Sequence, residues 1–178
     1  MQFLETERLV LRNVEAADAE VMYDYRNNEL CARFQRGQTK DLGGIKELIE
    51  KRKNDKLTVG GNSLLAIALK ESREMIGEIV VMPNDGAITL GYTISYKHHR
   101  RGYAYEALRA LTEKLHADYP DRDFICFTER ENVASMELLK KLGYEYMGYA
   151  PKITSEVFGK WVKPDAAEEI AKASQKQN

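Results

Sequence analysis

A change of hydrophobic period in mid-chain constrains the fold more than any other feature. Leu64–Leu69, Met75–Met82 and Ile88–Tyr96 are rich in Ile, Val and Leu and are separated by the short polar breaks 70–74 and 83–86. Apolar runs bounded by turn residues predict strands, and the short connections predict an antiparallel meander. After Tyr96 the period becomes helical. Ala104, Leu108, Leu111 and Leu115 recur at steps of three and four, predicting a helix from about Tyr103 to Ala117 that Pro120 stops. The junction Lys97-His98-His99-Arg100-Arg101-Gly102 is basic and carries a single glycine. A helix start offers unbonded N–H groups and the positive end of a dipole, and glycine permits close backbone approach, so this turn suits a diphosphate. The pattern is neither G-x-G-x-x-G nor a Walker loop, and taken alone it also fits an ordinary helix start with a solvated basic turn.

The flanking segments extend the same alternation of strands and helices. Thr6–Arg12 alternates polar and apolar residues and predicts a strand; residues 18–28 and 41–53 predict helices, with Met22 and Tyr25, then Ile45, Leu48 and Ile49, on their apolar stripes. Between those helices, residues 30–38 mix aromatic, basic and amide groups, as ligand-contacting loops do. Beyond the central helix, Phe124–Thr128 predicts a buried strand, Asn132–Leu142 a helix closed by Gly143, and Tyr144–Tyr149 and Ile153–Trp161 closing strands. From Pro164 onward, Asp165 and Glu168 stand at capping-box spacing but Ile170 is the one large apolar residue, which predicts a loosely attached helix fraying into a disordered end. The expected architecture is a single α/β (α+β) domain over residues 1–162 with a tail over 163–178, partly helical or disordered.

Composition narrows the function classes. A chain of 178 residues is one domain of ordinary size, and 27 basic against 28 acidic side chains disfavour a dedicated nucleic-acid binder. No run of 18 apolar residues is present and Met1–Glu5 lacks signal-peptide character, so a cytoplasmic chain without membrane attachment is expected. Cys31 and Cys126 lie far apart without C-x-x-C spacing, and His98, His99 and His116 lack metal-ligand spacing; buried thiols and no metal site are expected.

A second constellation lies at Arg130-Glu131-Asn132-Val133-Ala134-Ser135-Met136-Glu137-Leu138-Leu139-Lys140-Lys141-Leu142-Gly143-Tyr144. Asn132 is an N-cap, and Ser135 follows one turn later on the same side, while Ala134, Leu138 and Leu142 form the expected core stripe. The strand, basic glycine turn and helix, followed by Asn-x-x-Ser-x-x-Leu-x-x-Lys-x-Gly-Tyr, resemble the GNAT acetyltransferase superfamily. Glu5–Arg12 and Ala32–Arg36 resemble its Rim-type branch, the N-terminal acetyltransferases of ribosomal proteins; the likeness spans about residues 5 to 150.

The resemblance implies a mixed, mostly antiparallel splayed sheet flanked by helices, with acetyl-CoA as co-substrate in the cleft. It assigns His99, Arg100, Arg101, Gly102, Tyr103 and Ala104 to the loop whose amides bind the diphosphate, with His99 standing where Arg or Gln is usual. Ile94 and Tyr96 match strand positions whose backbone pairs with the pantetheine arm, and Asn132 and Ser135 match side chains that bond the cofactor. The implied partner is an amine acceptor, a peptide N-terminus or a small molecule, with a homodimer left open and neither membrane nor nucleic acid expected.

Acetyl transfer from a thioester needs a neutral amine, support for an oxyanion and a proton for the thiolate. The resemblance places the oxyanion against a backbone N–H near the end of the 88–96 strand. Many members use a tyrosine seven residues after the Asn as the acid, and Leu139 stands there in this chain. A thiol of pKa about 8.5 can leave with protonation by water. For the base, Glu78 is the candidate: strand alternation sets it on the face of Ile76, Val80 and Met82, where apolar neighbours favour a raised pKa. A structural ion pair for Glu78 is the alternative. The loss of the acid at Leu139 also admits a non-catalytic acyl-CoA-binding module.

Overall fold

The computed structural model describes residues 1–175. Eight strands form one sheet in the order β1-β2-β3-β4-β5-β6-β8-β7. They are β1 (Gln2–Glu5), β2 (Leu9–Asn13), β3 (Ser63–Leu69), β4 (Met75–Pro83), β5 (Ala87–Ile94), β6 (Asp123–Thr128), β7 (Glu145–Ala150) and β8 (Ser155–Lys160). The helices are α1 (Ala19–Asn27), α2 (Glu29–Ala32), α3 (Leu42–Arg52), α4 (Tyr103–Asp118), α5 (Val133–Lys141) and α6 (Pro164–Gln175). The antiparallel meander that the polar breaks predict is β3-β4-β5, and β2 pairs antiparallel with β3 on its outer side. The 6–12 segment turns after Glu5, so that β1 folds back on β2.

The sheet is covered on both faces. Strand alternation sends Leu65 and Ile67 to a core shared with Leu108, Leu111 and Leu115 of α4, and Leu64 and Ala66 to a core shared with Met22 and Tyr25 of α1 and Ile45 and Ile49 of α3. A bulge in β4 breaks the alternation. Ile67 stands opposite Gly77 and Ala68 opposite Met75, which leaves Ile76 as the extra residue. Ile76 therefore joins the α4 core, while Glu78 faces α1, so the expected shared face of Ile76 and Glu78 is corrected by one inserted residue.

Among the described residues one strand pairing is parallel, and it positions the site. β4 and β5 pair from Gly77 opposite Ile94 to Pro83 opposite Ile88, whereas β5 and β6 pair only through Ala87 with Asp123 and Ile88 with Phe124. Beyond Ile88 the two strands separate, and the sheet splays.

The tail forms a helix, as expected, with a start earlier than the capping-box spacing implies. α6 starts at Pro164, which suits a first helical position because its missing N–H would have no partner there; Asp165 therefore sits inside the first turn and not at the cap. Ala166, Ala167, Ile170 and Ser174 are half-buried, at the spacing of one helix face, and the helix packs beside β7. A Cβ at Gly148 would lie 2.6 Å from Ser174 Oγ, so glycine admits the helix to the strand. The expected disordered end at 176–178 lies outside the described residues.

Candidate functional site: the gap between the fifth and sixth strands

The open edge of β5 forms one wall. Ser95 N–H donates to Ile76 O at 2.8 Å, so backbone alternation turns the polar groups of Ile94, Tyr92 and Leu90 toward the edge that β6 leaves free. Their carbonyls meet side chains there: His99 Nε2 is 2.9 Å from Ile94 O, Gln35 Nε2 donates to Tyr92 O at 3.1 Å, and the Cys126 thiol faces Leu90 O at 3.8 Å. β5 ends at Ile94, and Tyr96 opens a short 3-10 turn, Tyr96–His98, instead of extending the strand. The Tyr96 ring packs toward the α1 core and its hydroxyl reaches Asp24.

The glycine turn forms the second part. Arg100 and Gly102 take left-handed conformations, with φ of 60° and 80°. The N–H groups of Arg101, Gly102, Tyr103 and Ala104 find no acceptor among the described residues, so several donors point outward at the start of the 16-residue α4. Arg100 and Arg101 are exposed and form no ion pair among the described residues. Lys97 is turned away from this cluster, to Asp24 at 2.8 Å.

Arg8 and Glu106 brace the turn from behind. Arg8 Nε meets Glu106 Oε2 at 2.6 Å, Arg8 Nη1 donates to Arg101 O at 3.0 Å, and the guanidinium lies 4.6 Å from the Tyr103 ring centroid. Glu106 Oε1 also accepts from Thr6 Oγ1 at 2.7 Å and from Arg8 N–H at 2.8 Å. Burial acts to raise the Glu106 carboxyl, but the bonds from Thr6 and Arg8 outweigh it and hold it below the ordinary carboxylate range.

The third part is the start of α5. Asn132 Oδ1 accepts from Ser135 N–H at 3.2 Å as an N-cap, and Ser135 Oγ lies 2.8 Å from the Tyr92 hydroxyl. The core side of α5 is carried by Leu139 and Leu142, whereas Ala134 is exposed; the stripe is rotated from its expected position because the turn toward β5 is given to Ser135. Leu139 is 2% exposed, an apolar wall at the position where a tyrosine acid is usual.

A cavity of about 310 Å³ lies between these parts, and it brings together Phe34, Gln35, Arg36, Tyr92, Asn132 and Ser135. It also recruits Leu90, Phe127, Thr128, Glu129, Ile153 and Ser155, which carry no recognisable motif in the sequence. Arg36 ties the wall together: its guanidinium bonds Glu129 Oε1 at 2.9 Å, Ile153 O at 2.9 Å and Thr154 Oγ1 at 3.3 Å. Since Arg36 and Glu129 neutralise one another, the cavity presents little net charge.

Glu78 stands apart from this cavity. It is 1% exposed, with Oε2 bonded to Arg26 Nη2 at 2.6 Å and to the Tyr25 hydroxyl at 2.9 Å, and Oε1 bonded to Gln38 Nε2 at 2.8 Å. Arg26 also donates to Thr39 O at 3.1 Å, so the cluster fastens the 38–39 segment, close after the cavity residues Phe34–Arg36, onto the sheet. Both cysteines are buried free thiols, and burial pushes Cys126 up to about 11. Among the described residues no group of three or more His, Cys, Asp or Glu side chains is placed to hold a metal, and no helix is long and apolar enough to cross a membrane.

Known proteins resemble this chain in sequence and in fold. The chain is 27% identical over 152 residues to the uncharacterized N-acetyltransferase p20 of Bacillus licheniformis, covering 83% of this chain and 85% of that one. A putative ribosomal-protein-serine acetyltransferase from Vibrio cholerae superposes with a TM-score of 0.76 at 20% identity, covering 90% and 97% of the two chains. RimL, a ribosomal L7/L12 α-N-protein acetyltransferase solved with coenzyme A, gives 0.74 at 12% identity over 90% and 97%. At these identities the two structures show a shared fold, and both carry names of ribosomal-protein acetyltransferases. The family described as the acetyltransferase (GNAT) domain matches residues 8–145, most of the chain, and the chain therefore belongs to the GNAT acetyltransferase family.

Proposed function

We propose that the chain is an acetyl-CoA-dependent N-acetyltransferase of the cytoplasm, acting on a primary amine of a protein N-terminus or a small molecule by direct attack in a ternary complex. The observation that carries this reading is the continuity of three features: outward-pointing amides at Arg101–Ala104, the open edge of β5 and the cavity at its middle. A diphosphate fits the amides and the exposed Arg100 and Arg101, and an amide-bearing arm suits the edge polar groups of Ile94 and Tyr92. Asn132, with its Oδ1 used as a cap, keeps its amide N–H donors for the donor molecule. Bound acetyl-CoA supplies an activated acetyl thioester. This chain's residues hold it along β5, with an edge N–H of Leu90 or Tyr92 available to the carbonyl oxygen during attack.

Glu78 fits a positioning role better than that of a base, because three partners occupy its carboxylate oxygens. An α-amine of pKa about 8 is partly neutral near pH 7.5 and can lose its proton to water, whereas a lysine at about 10.4 is a poorer acceptor without a base. The near-neutral cavity is compatible with either a peptide terminus or an uncharged small amine.

Buried Leu139 favours a second reading, a module that binds acyl-CoA without turnover. Thiol release from acetyl-CoA across a panel of peptides and small amines separates the two. Amine-dependent release is expected; binding of acetyl-CoA with no release on any amine supports the module instead.

A further inference from the structure

Water can protonate the departing thiolate, but a positioned donor does so within the bond-breaking step, and the α5 position that would carry one is Leu139. The opposite wall carries a hydroxyl. Tyr92 rises from the middle of β5, lines the cavity, and reaches across the splay to Ser135, one helical turn before Leu139, at 2.8 Å. Tyr92 and Leu139 also line one small hollow beside the cavity, so the tyrosine shares a wall with the position that α5 leaves apolar.

Resting on the acetyltransferase reading, we infer that Tyr92 is the catalytic acid, delivering from the sheet the proton that the helix does not supply. The amine nitrogen bonds to the acetyl carbon, the carbon–sulfur bond breaks, and the sulfur takes the phenolic proton. The amine's proton passes to water, and the tyrosinate regains a proton from solvent through the Ser135 hydroxyl. No other reactant is needed. Burial raises the Tyr92 phenol, which by itself makes it a weaker acid, and the same desolvation raises the affinity of a thiolate in the cavity for a proton, so the two compete for one proton. The other titratable groups nearby are placed for no such donation: Glu129 is held by Arg36, the Cys126 thiol faces Leu90 O, and neither Cys126 nor Tyr144 lines the cavity. Ser135 also orients the phenol, through the same hydrogen bond.

Affinity for coenzyme A relative to desulfo-coenzyme A, which lacks the sulfur, isolates the contact. At about pH 9 the wild type is expected to prefer coenzyme A by about tenfold or more, the range of a charge-assisted hydrogen bond. Tyr92→Phe should bring that preference close to unity and lower kcat by about 10²-fold, with unfolding behaviour close to wild type. Ser135→Ala should keep the preference within about threefold. Retention of either kcat or the sulfur preference in Tyr92→Phe overturns the assignment, as does loss of the preference in Ser135→Ala alone. If the wild type binds neither compound, the coenzyme A reading of the cleft fails and this inference falls with it; if it binds both but Tyr92→Phe is silent, only the inference fails.

Discussion

Arg8 and Glu106, almost a hundred residues apart in sequence, meet at 2.6 Å behind the glycine turn and fix the backbone from which Arg101–Ala104 present their amides. Glu106 is one turn into α4, where a carboxylate also complements the helix dipole. A pair this exposed on its Arg8 side contributes modestly to stability. Its larger consequence is geometric, since Arg8 holds Arg101 O in place.

Glu106→Ala should cost about 1–2 kcal/mol, because Thr6 and the Arg8 backbone lose their acceptor together. The sign of the pH effect follows from the direction of its shift: the folded chain holds Glu106 below its ordinary value of 4.5, so the stabilisation is present above that pH and is lost as pH falls below it. Melting curves of wild type and Glu106→Ala should therefore converge on acidification from neutral pH. A gap that stays constant down to strongly acid pH contradicts the assignment.

Gly102→Val should weaken acetyl-CoA binding by about tenfold or more. The position requires φ of 80°, and a Cβ there meets only Arg8 Nη2, at an ordinary 3.5 Å. The penalty is therefore backbone strain, about 1–2 kcal/mol and more for a β-branched residue, together with bulk beside the outward amides. Gly102→Ala, which keeps the bulk small, should fall between the two. Equal Kd values for wild type and Gly102→Val would remove the turn from the binding site.

Glu78→Gln should act mainly on stability, leaving Arg26 charged and 3% exposed without its counter-ion. Breaking such a pair costs about 3–5 kcal/mol, which for a chain of this length lowers Tm by about 6–20 °C. The pH–rate profile should keep its shape, with KM for the acceptor rising as the 38–39 segment loosens. Disappearance of an ascending limb from the profile would make Glu78 the base after all. Acetyl-CoA affinity should suffer less than in Gly102→Val.

Local patterns made the order of elements legible, because the shift from strand to helical period after Tyr96 is written in adjacent residues. The glycine turn and the Asn132–Ser135 pair were legible for the same reason: each is a short run acting at one helix start. Long-range relations were not. The bulge that moves Ile76 off the face of Glu78 depends on register with β3, and the partners of Glu78 come from α1 and the 38–39 segment, some 40 to 53 residues away. Arg36 and Glu129 meet across 93 residues, with no spacing to announce them. Ile170 is the tail's only large apolar residue, so no strong apolar stripe announces the contact that small residues and Gly148 let α6 make with β7.

Thermal unfolding against acetyl-CoA concentration tests most directly whether the gap between β5 and β6 binds this donor. A ligand that binds only the folded chain at about a hundred times its Kd adds about 2.7 kcal/mol, which for this length raises Tm by about 5–10 °C. The predicted result is a Tm that climbs with the logarithm of acetyl-CoA concentration in the wild type, with Gly102→Val needing about tenfold more ligand for the same rise. An unchanged wild-type Tm at about 1 mM acetyl-CoA contradicts it.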